Sequence, residues 1–539
     1  MMTRMTGGRA VLATLQANGA HLAFGIPGAH NLAIYDAMVD RPRFRHVVAR
    51  NEQGASLMAN AAGRARGEPG ICIVTTGPAA CNALVGVADA ACESVPMLVI
   101  SSQIASHLVG QNKGAFHEVR DQKGMFQAAG AWTARPNRVE QIPATINAAW
   151  VAMTHGRPGP AYVEICEDVL NSEGDVRILP AAAAPRPGAT PAQIQAIVSR
   201  LSSARRPLVY AGGGAVRASA GQQLRGFVER LNLPVVTTVH GKGVLPEDHA
   251  LCFGAVPMQH RECRRLFETA DLVLALGTGF GEVSTGGWNT RYPAELIQID
   301  IDGSQIGRNV AVSQGVVADV QTLLSQLNVA TEEVSASFQE WTARVMALRS
   351  ALEEAVHGMA GAQISRTMRA LLPRDAIIVG DAAEWGGWQI HHFPVYGEAQ
   401  MLYPLHFGTL GYSIPGAIGA QAARPGRRVV AVCGDGGFLF CSQELATAVQ
   451  HRLPVIVVLV NNRSFGGIRH LQERRYGAGR EIASELQNPD FAAYARSFGC
   501  FGRQVVAMDH FAEALAEALA SGVPAVIEIA FPVDLAPSG

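Results

Sequence analysis

A short β-branched run, a glycine-rich turn and an alanine-rich helical stretch follow one another in three separate blocks of this chain. That order is the grammar of βαβ units, because parallel strands covered on both faces need continuous apolar runs and a crossover helix between them. In the first block the apolar runs are residues 46–49, 71–75 and 96–101. In the second they are 207–214, 234–239, 272–277 and 296–302, and in the third 376–381, 429–437 and 454–462. The Pro/Ala-rich stretch 179–191 (LPAAAAPRPGATP) reads as a linker, and a polar helical stretch near 331–344 separates the second block from the third. The expectation is an α/β chain of three doubly wound, Rossmann-like domains with ligand crevices at the strand C-termini. At 539 residues the chain is also too long for a single core.

The formal net charge of −1 gives no general field for nucleic acid or an acidic membrane, so any anion site must be local. Nine cysteines are scattered singly, with no C-x-x-C pair, and read as buried or half-buried reduced thiols of a cytosolic protein. Gln16 and Asn18 interrupt the N-terminal apolar residues, which argues against a signal peptide or anchor, and no later run reaches transmembrane length. A cytoplasmic enzyme acting on small molecules is expected, with no nucleic acid and no membrane as partner.

The strongest local signal lies between Gly434 and Asn462. A strand ends in Gly434-Asp435-Gly436-Gly437, a helix is expected near 443–451, and a second strand ends in Asn461-Asn462. One βαβ crossover of that length brings Asp435 and Asn462 to the same sheet edge. A carboxylate and an amide oxygen suit Mg²⁺, a small hard ion that completes its octahedron with water and phosphate oxygens. The glycines let the backbone approach a diphosphate, and the N–H groups of the next helix face its charge. Taken alone, the same residues also fit a strand-end turn in which Asp435 caps the helix.

G-D-G followed about two dozen residues later by N-N resembles the fingerprint of thiamine-diphosphate enzymes of the acetolactate synthase, benzaldehyde lyase and 2-oxo acid decarboxylase type. The resemblance covers nearly the whole chain. It implies a pyrimidine-binding domain (1–175), a central domain (190–330) and a diphosphate- and Mg²⁺-binding domain (355–535). It further implies metal ligation by Asp435, Asn462 and the Ser464 carbonyl, with Gly434, Gly436, Gly437, Phe465 and Gly466 along the cofactor. Glu52, in Asn51-Glu52-Gln53-Gly54-Ala55, matches the glutamate at the pyrimidine N1′ that helps activate the cofactor; by itself it fits a helix-start acid equally well. Thr76, Gly77 and Asn82 match the loop on the pyrimidine side, with Ala79 in place of the usual second Gly. Gly408-Thr409-Leu410-Gly411 matches the segment that bends the cofactor, the Gly408 carbonyl accepting from its amino group and Leu410 acting as wedge where acetolactate synthases usually carry Met.

On the substrate side the resemblance places His30 where it relays a proton to or from the substrate alkoxide, and His117, which replaces the family's Gln, is a second polar candidate for a catalytic residue. Either could instead be an ordinary loop histidine. His117, Leu410, Gly467 and Leu471 all depart from acetolactate synthase, and the last two enlarge the pocket, which predicts a substrate bulkier than pyruvate. The Gly212–Gly214 turn and the segment 276–280 have a dinucleotide-fold look, which leaves FAD open without predicting it. The expected function is a carbon–carbon lyase or carboligase acting on a 2-oxo acid or 2-hydroxy ketone. Acetolactate synthase proper and a flavin-dependent oxidoreductase like pyruvate oxidase are the alternatives. A homodimer or homotetramer with active sites at the subunit interface is implied by resemblance.

Overall fold

Each apolar run becomes a strand in the computed structural model, which describes residues 2–334 and 336–530. The first sheet places, in parallel, Arg45–Val48, Leu22–Gly25, Gly70–Val74, Met97–Gln103, Pro160–Cys166 and Trp132–Ala134 in that spatial order. The last sheet runs Met401–Leu402, Ile377–Gly380, Val429–Gly434, Ile456–Val460, Ala525–Ile529 and Phe501–Val505, again all parallel. Counted along the chain, both follow one plan: second, first, third, fourth, sixth, fifth. The middle sheet, Cys252–Ala255, Val235–Thr237, Pro207–Ala211, Leu272–Leu276, Leu296–Asp300 and Gln314–Val317, has the third-second-first-fourth-fifth-sixth order of dinucleotide folds. Three α/β lobes, each with a six-stranded parallel sheet, follow from these pairings.

The first and third lobes share one hydrophobic core, and glycine makes the joint close. The helix Glu52–Arg66 lies on the helix Ser413–Ala423, and a Cβ on Gly419 would stand 2.1 Å from the Met58 carbonyl oxygen. Backbone therefore meets backbone there, and Gly419→Ala would force the two lobes apart.

Several expectations need correction. The strands Leu22–Gly25, Trp132–Ala134 and Pro160–Cys166 fall outside the apolar runs singled out above. The residues Asp435–Gly437, expected in a turn, open the helix Asp435–Cys441, and the next helix is only Leu445–Gln450. Glycine is a poor helix former, but here larger residues would not fit: a Cβ on Gly436 would strike the Phe465 ring, and one on Gly437 the Asp381 carboxylate. The helix after the central sheet is Gln339–Ala355, later than 331–344, because Trp341 Nε1 docks on the Pro207 carbonyl (2.9 Å) and Thr342 Oγ1 on that of Asn232 (2.6 Å). Residues 177–190 form neither helix nor strand. All nine cysteines are unpaired and seven are buried, but Cys81 and Cys92 are exposed. Of the third expected domain, residues 531–535 lie outside the described residues. Among the described residues no helix is long and apolar enough to cross a membrane.

Candidate active site

The crevice of the first lobe forms where its strands end. Asn51 caps the helix Glu52–Arg66, its side chain accepting from Gln53 N (2.8 Å), so Glu52 stands in the first turn at the C-terminal edge of Arg45–Val48. Asn82 Nδ2 donates to Glu52 Oε2 at 3.0 Å, which joins two of the expected residues directly. Thr76 is fully buried; its hydroxyl lies 2.8 Å from Gln122 Oε1, which also accepts from Gly77 N (2.7 Å). Gln122, which the sequence reading missed, therefore shapes this loop from beneath. Gly77 has φ +71°, and a Cβ there would collide with the His117 carbonyl, so the loop 114–118 rests on it. His30 lies in the single turn Ala29–Asn31, its ring 5.5 Å from that of His117. Both Nδ1 atoms are buried without a hydrogen-bond partner. Burial holds the His30 imidazole below its ordinary range, and nearby His117 adds to this while Glu167 opposes it. His30 is thus neutral at neutral pH and able to accept a proton.

The third lobe gathers the other group. Asp435, fully buried, starts the helix Asp435–Cys441. Its Oδ2 accepts from Asn488 Nδ2 (2.6 Å) and Ser464 N (3.2 Å), while Oδ1 is buried with no hydrogen-bond partner. Asn462 Oδ1 lies 3.2 Å from the same Ser464 amide, so the crossover does bring both side chains to one point. Burial pushes the Asp435 carboxyl up, a cost that a divalent cation would offset. A Cβ on Gly466 would come within 2.6 Å of Asn462 Nδ2, and the Phe465 ring covers Gly436. Leu410 is half-buried, its Cδ2 3.8 Å from where a Gly437 Cβ would be. Gly408 has φ +72° and open space where its Cβ would stand. Gly434 is extended and passes into the helix beside Trp385. A carboxylate oxygen, an amide oxygen and a ring of small residues on one strand edge fit a hard cation and a phosphate group.

Three charged residues here carried no sequence signal. Asp381, at the end of Ile377–Gly380, accepts from Gly411 N and Tyr412 N at 3.1 Å each, and burial pushes it up to about 7. Glu384 has both carboxylate oxygens buried with no hydrogen-bond partner and lies 3.4 Å from His470 Nδ1. Glu444 reaches the first lobe and accepts from Arg50 N and Asn51 N (3.0–3.1 Å), fixing the turn that presents Glu52. Each stands far along the chain from its contact, outside any fixed spacing.

Thr409, next to Gly408, is tied to Asp89 (2.9 Å), and Glu52 to Asn82, both on the helix Pro78–Glu93. Residues 82 and 89 are separated by about 10 Å of helix at 1.5 Å per residue. In the central lobe the Gly214 and Gly277 backbones touch beside a cavity of about 440 Å³ lined by Gly213, Arg217, Phe280, Asp300 and Arg308.

Family models match all three lobes: the N-terminal TPP binding domain of thiamine pyrophosphate enzymes at residues 5–125, their central domain at 194–327 and their C-terminal TPP binding domain at 381–529. Similar proteins include a probable acetolactate synthase large subunit of Methanocaldococcus jannaschii, 32% identical over 97% of this chain and 92% of that one. A probable 2-ketoarginine decarboxylase AruI of Pseudomonas aeruginosa is 36% identical over 94% and 90%. The acetolactate synthase isozyme 3 large subunit of Escherichia coli K12 is 32% identical over 96% and 93%.

Proposed function

This chain belongs to the thiamine pyrophosphate enzyme family, and from that premise we propose a thiamine-diphosphate- and Mg²⁺-dependent decarboxylase or carboligase acting on a 2-oxo acid or 2-hydroxy ketone larger than pyruvate. The observation that carries the reading is Asp435 Oδ1: a buried, unpartnered carboxylate oxygen beside Asn462 is costly unless a cation completes it. Asp435, Asn462 and the Ser464 carbonyl hold Mg²⁺ in this reading, and Gly434, Gly436, Gly437, Phe465 and Gly466 lie along the diphosphate. Thiamine diphosphate, when bound, supplies the sink for the electron pair left as the carbon–carbon bond breaks. Glu52 holds a proton at the pyrimidine ring, with Thr76, Gly77 and Asn82 shaping that end of the site. The Gly408 carbonyl would accept from the cofactor's amino group, and Leu410 would support its rings from one side. His30 and His117 give and take the proton at the substrate oxygen.

Open space beside Gly467 supports a substrate larger than pyruvate. A Cβ on Gly467 would meet nothing within 4 Å, and Leu471 is exposed on the same helix, Gly466–Tyr476. Acetolactate synthase proper is accordingly the less favoured reading, and no flavin step is proposed. The separation of Glu52 from the Gly408 loop within one chain supports a homodimer or homotetramer whose sites each combine two chains. The unpaired cysteines suit the cytoplasm.

The test is a panel of pyruvate, longer 2-oxo acids including 2-ketoarginine, and aromatic 2-hydroxy ketones, assayed with thiamine diphosphate and with Mg²⁺ or a chelator, following CO₂ and products. Turnover of the longer substrates, lost on chelation, is expected. Strong turnover of pyruvate alone would discard the size argument, and an inert holoprotein across the panel would discard the enzyme.

A further inference from the structure

Two buried acids of the first lobe lie outside the strand-end crevice and face the loop that carries Gly408. Asp89 and Glu93 stand one turn apart on the helix Pro78–Glu93, so their side chains share a face. Both are essentially inaccessible to water, where an unpaired carboxylate is costly. Their partners are in the third lobe. Thr409 Oγ1 donates to Asp89 Oδ1 at 2.9 Å. The His406 backbone N–H donates to Glu93 Oε1 at 2.6 Å, and His406 Nδ1 lies 3.1 Å from Glu93 Oε2. Asn60 joins the same network, donating to Asp89 Oδ2 (3.0 Å) and accepting from the Tyr412 hydroxyl (3.2 Å). His240 of the central lobe contacts the same Glu93 Oε2 as His406.

The loop is therefore pinned at 406, 409 and 412. Between the first two pins lies Gly408, exposed, in the left-handed region and with no neighbour where its Cβ would be. Gly408 N donates to the Pro404 carbonyl (3.0 Å) within the loop, and the contacts that reach the loop from the first lobe fall at the flanking pins. We propose that Asp89 and Glu93 are positioning residues that set the loop 405–410, and through it the aim of the Gly408 carbonyl and of Leu410. The proposal rests on the reading above that these two groups grip the cofactor. The first lobe then has two separate duties, presenting Glu52 at one end and fixing the third lobe's cofactor loop at the other.

Thr409→Val removes one pin while changing neither carboxylate, and Thr409→Ser restores the hydroxyl; Glu93→Gln weakens the other pin. Two readouts are needed on the full-length, cofactor-free protein: amide hydrogen exchange across 405–411, and thiamine diphosphate affinity with Mg²⁺ from tryptophan fluorescence. Trp385, buried beside Gly434, serves as the reporter. Thr409→Val and Glu93→Gln should speed exchange in the loop and weaken cofactor affinity about tenfold, the scale of one lost charge-assisted hydrogen bond. Thr409→Ser should return both close to the parent values. Parent-like exchange or parent-like affinity in a folded Thr409→Val protein overturns the proposal. The family reading fails separately: a parent protein that binds no thiamine diphosphate sinks it, and this proposal with it.

Discussion

Glu52 and Asp435 show how differently two carboxylates can be presented. Glu52 is half-buried and has a partner, Asn82, while Asp435 is buried with one oxygen left open. A buried polar atom without a partner costs about 1–3 kcal/mol. The crevices hold several: Asp435 Oδ1, both oxygens of Glu384, and Nδ1 of His30 and His117. Such a concentration is what a site awaiting charged and polar ligands looks like. Glu52→Gln keeps the shape and the hydrogen bond to Asn82 but cannot hold the proton at the pyrimidine. Turnover should fall at least about 100-fold, with the melting temperature within a degree or two of the parent. Full activity in steady-state assays would contradict the assignment. Asp435 and Asn462 were legible because a crossover of that length meets at one edge. Glu384 and Asn488 were not, since neither stands at a recurring distance from a motif.

Helices and strands divide the credit in a similar way. Ten of the eighteen strands in the three sheets were read from continuous apolar runs, which burial on both faces favours, while eight others, Gln314–Val317 and Met401–Leu402 among them, fell outside those runs. The helix Asp435–Cys441 could not be read, since three of its first residues favour turns and only the close Phe465 and Asp381 contacts explain them. The helix Glu384–His392 carries Glu384 at one end and two histidines at the other, packed toward Lys242 of the central lobe. Desolvation first, and Lys242 among the nearby cations, push His391 to about 3 and His392 to about 4, from 6.5. A folded-state value below the unfolded one means that the unfolded chain binds more protons as pH falls. These two residues therefore withdraw stability progressively from pH 6.5 down to about 4 for His392 and about 3 for His391. Replacing both by Gln should flatten the fall in melting temperature across that window. An unchanged slope in thermal scans would show that they do not titrate on unfolding.

At the scale of the whole molecule, the first and third lobes share a fold plan and a core, and Glu52 and the Gly408 loop are tied to different turns of the one helix Pro78–Glu93. A site completed by a second copy has a sharp consequence. In a mixed dimer of Glu52→Gln and Asp435→Ala chains, one site carries both lesions and the other neither. Co-expression of these two inactive variants should restore about one quarter of parental activity, from one intact site in half of the dimers. No recovery in purified mixed oligomers would place each site within a single chain. By itself the sequence determined the three α/β lobes and their sheet class, and the meeting of Asp435 and Asn462 at one edge. These depend on periodicity and on distances a single crossover can span. Only the tertiary structure decided the rest: that Asp89 and Glu93 hold the Gly408 loop, that Glu444 fixes the Glu52 turn, and that Gly419 lets the lobes touch. Contacts between residues hundreds of positions apart leave no local pattern, because they are selected by packing in three dimensions.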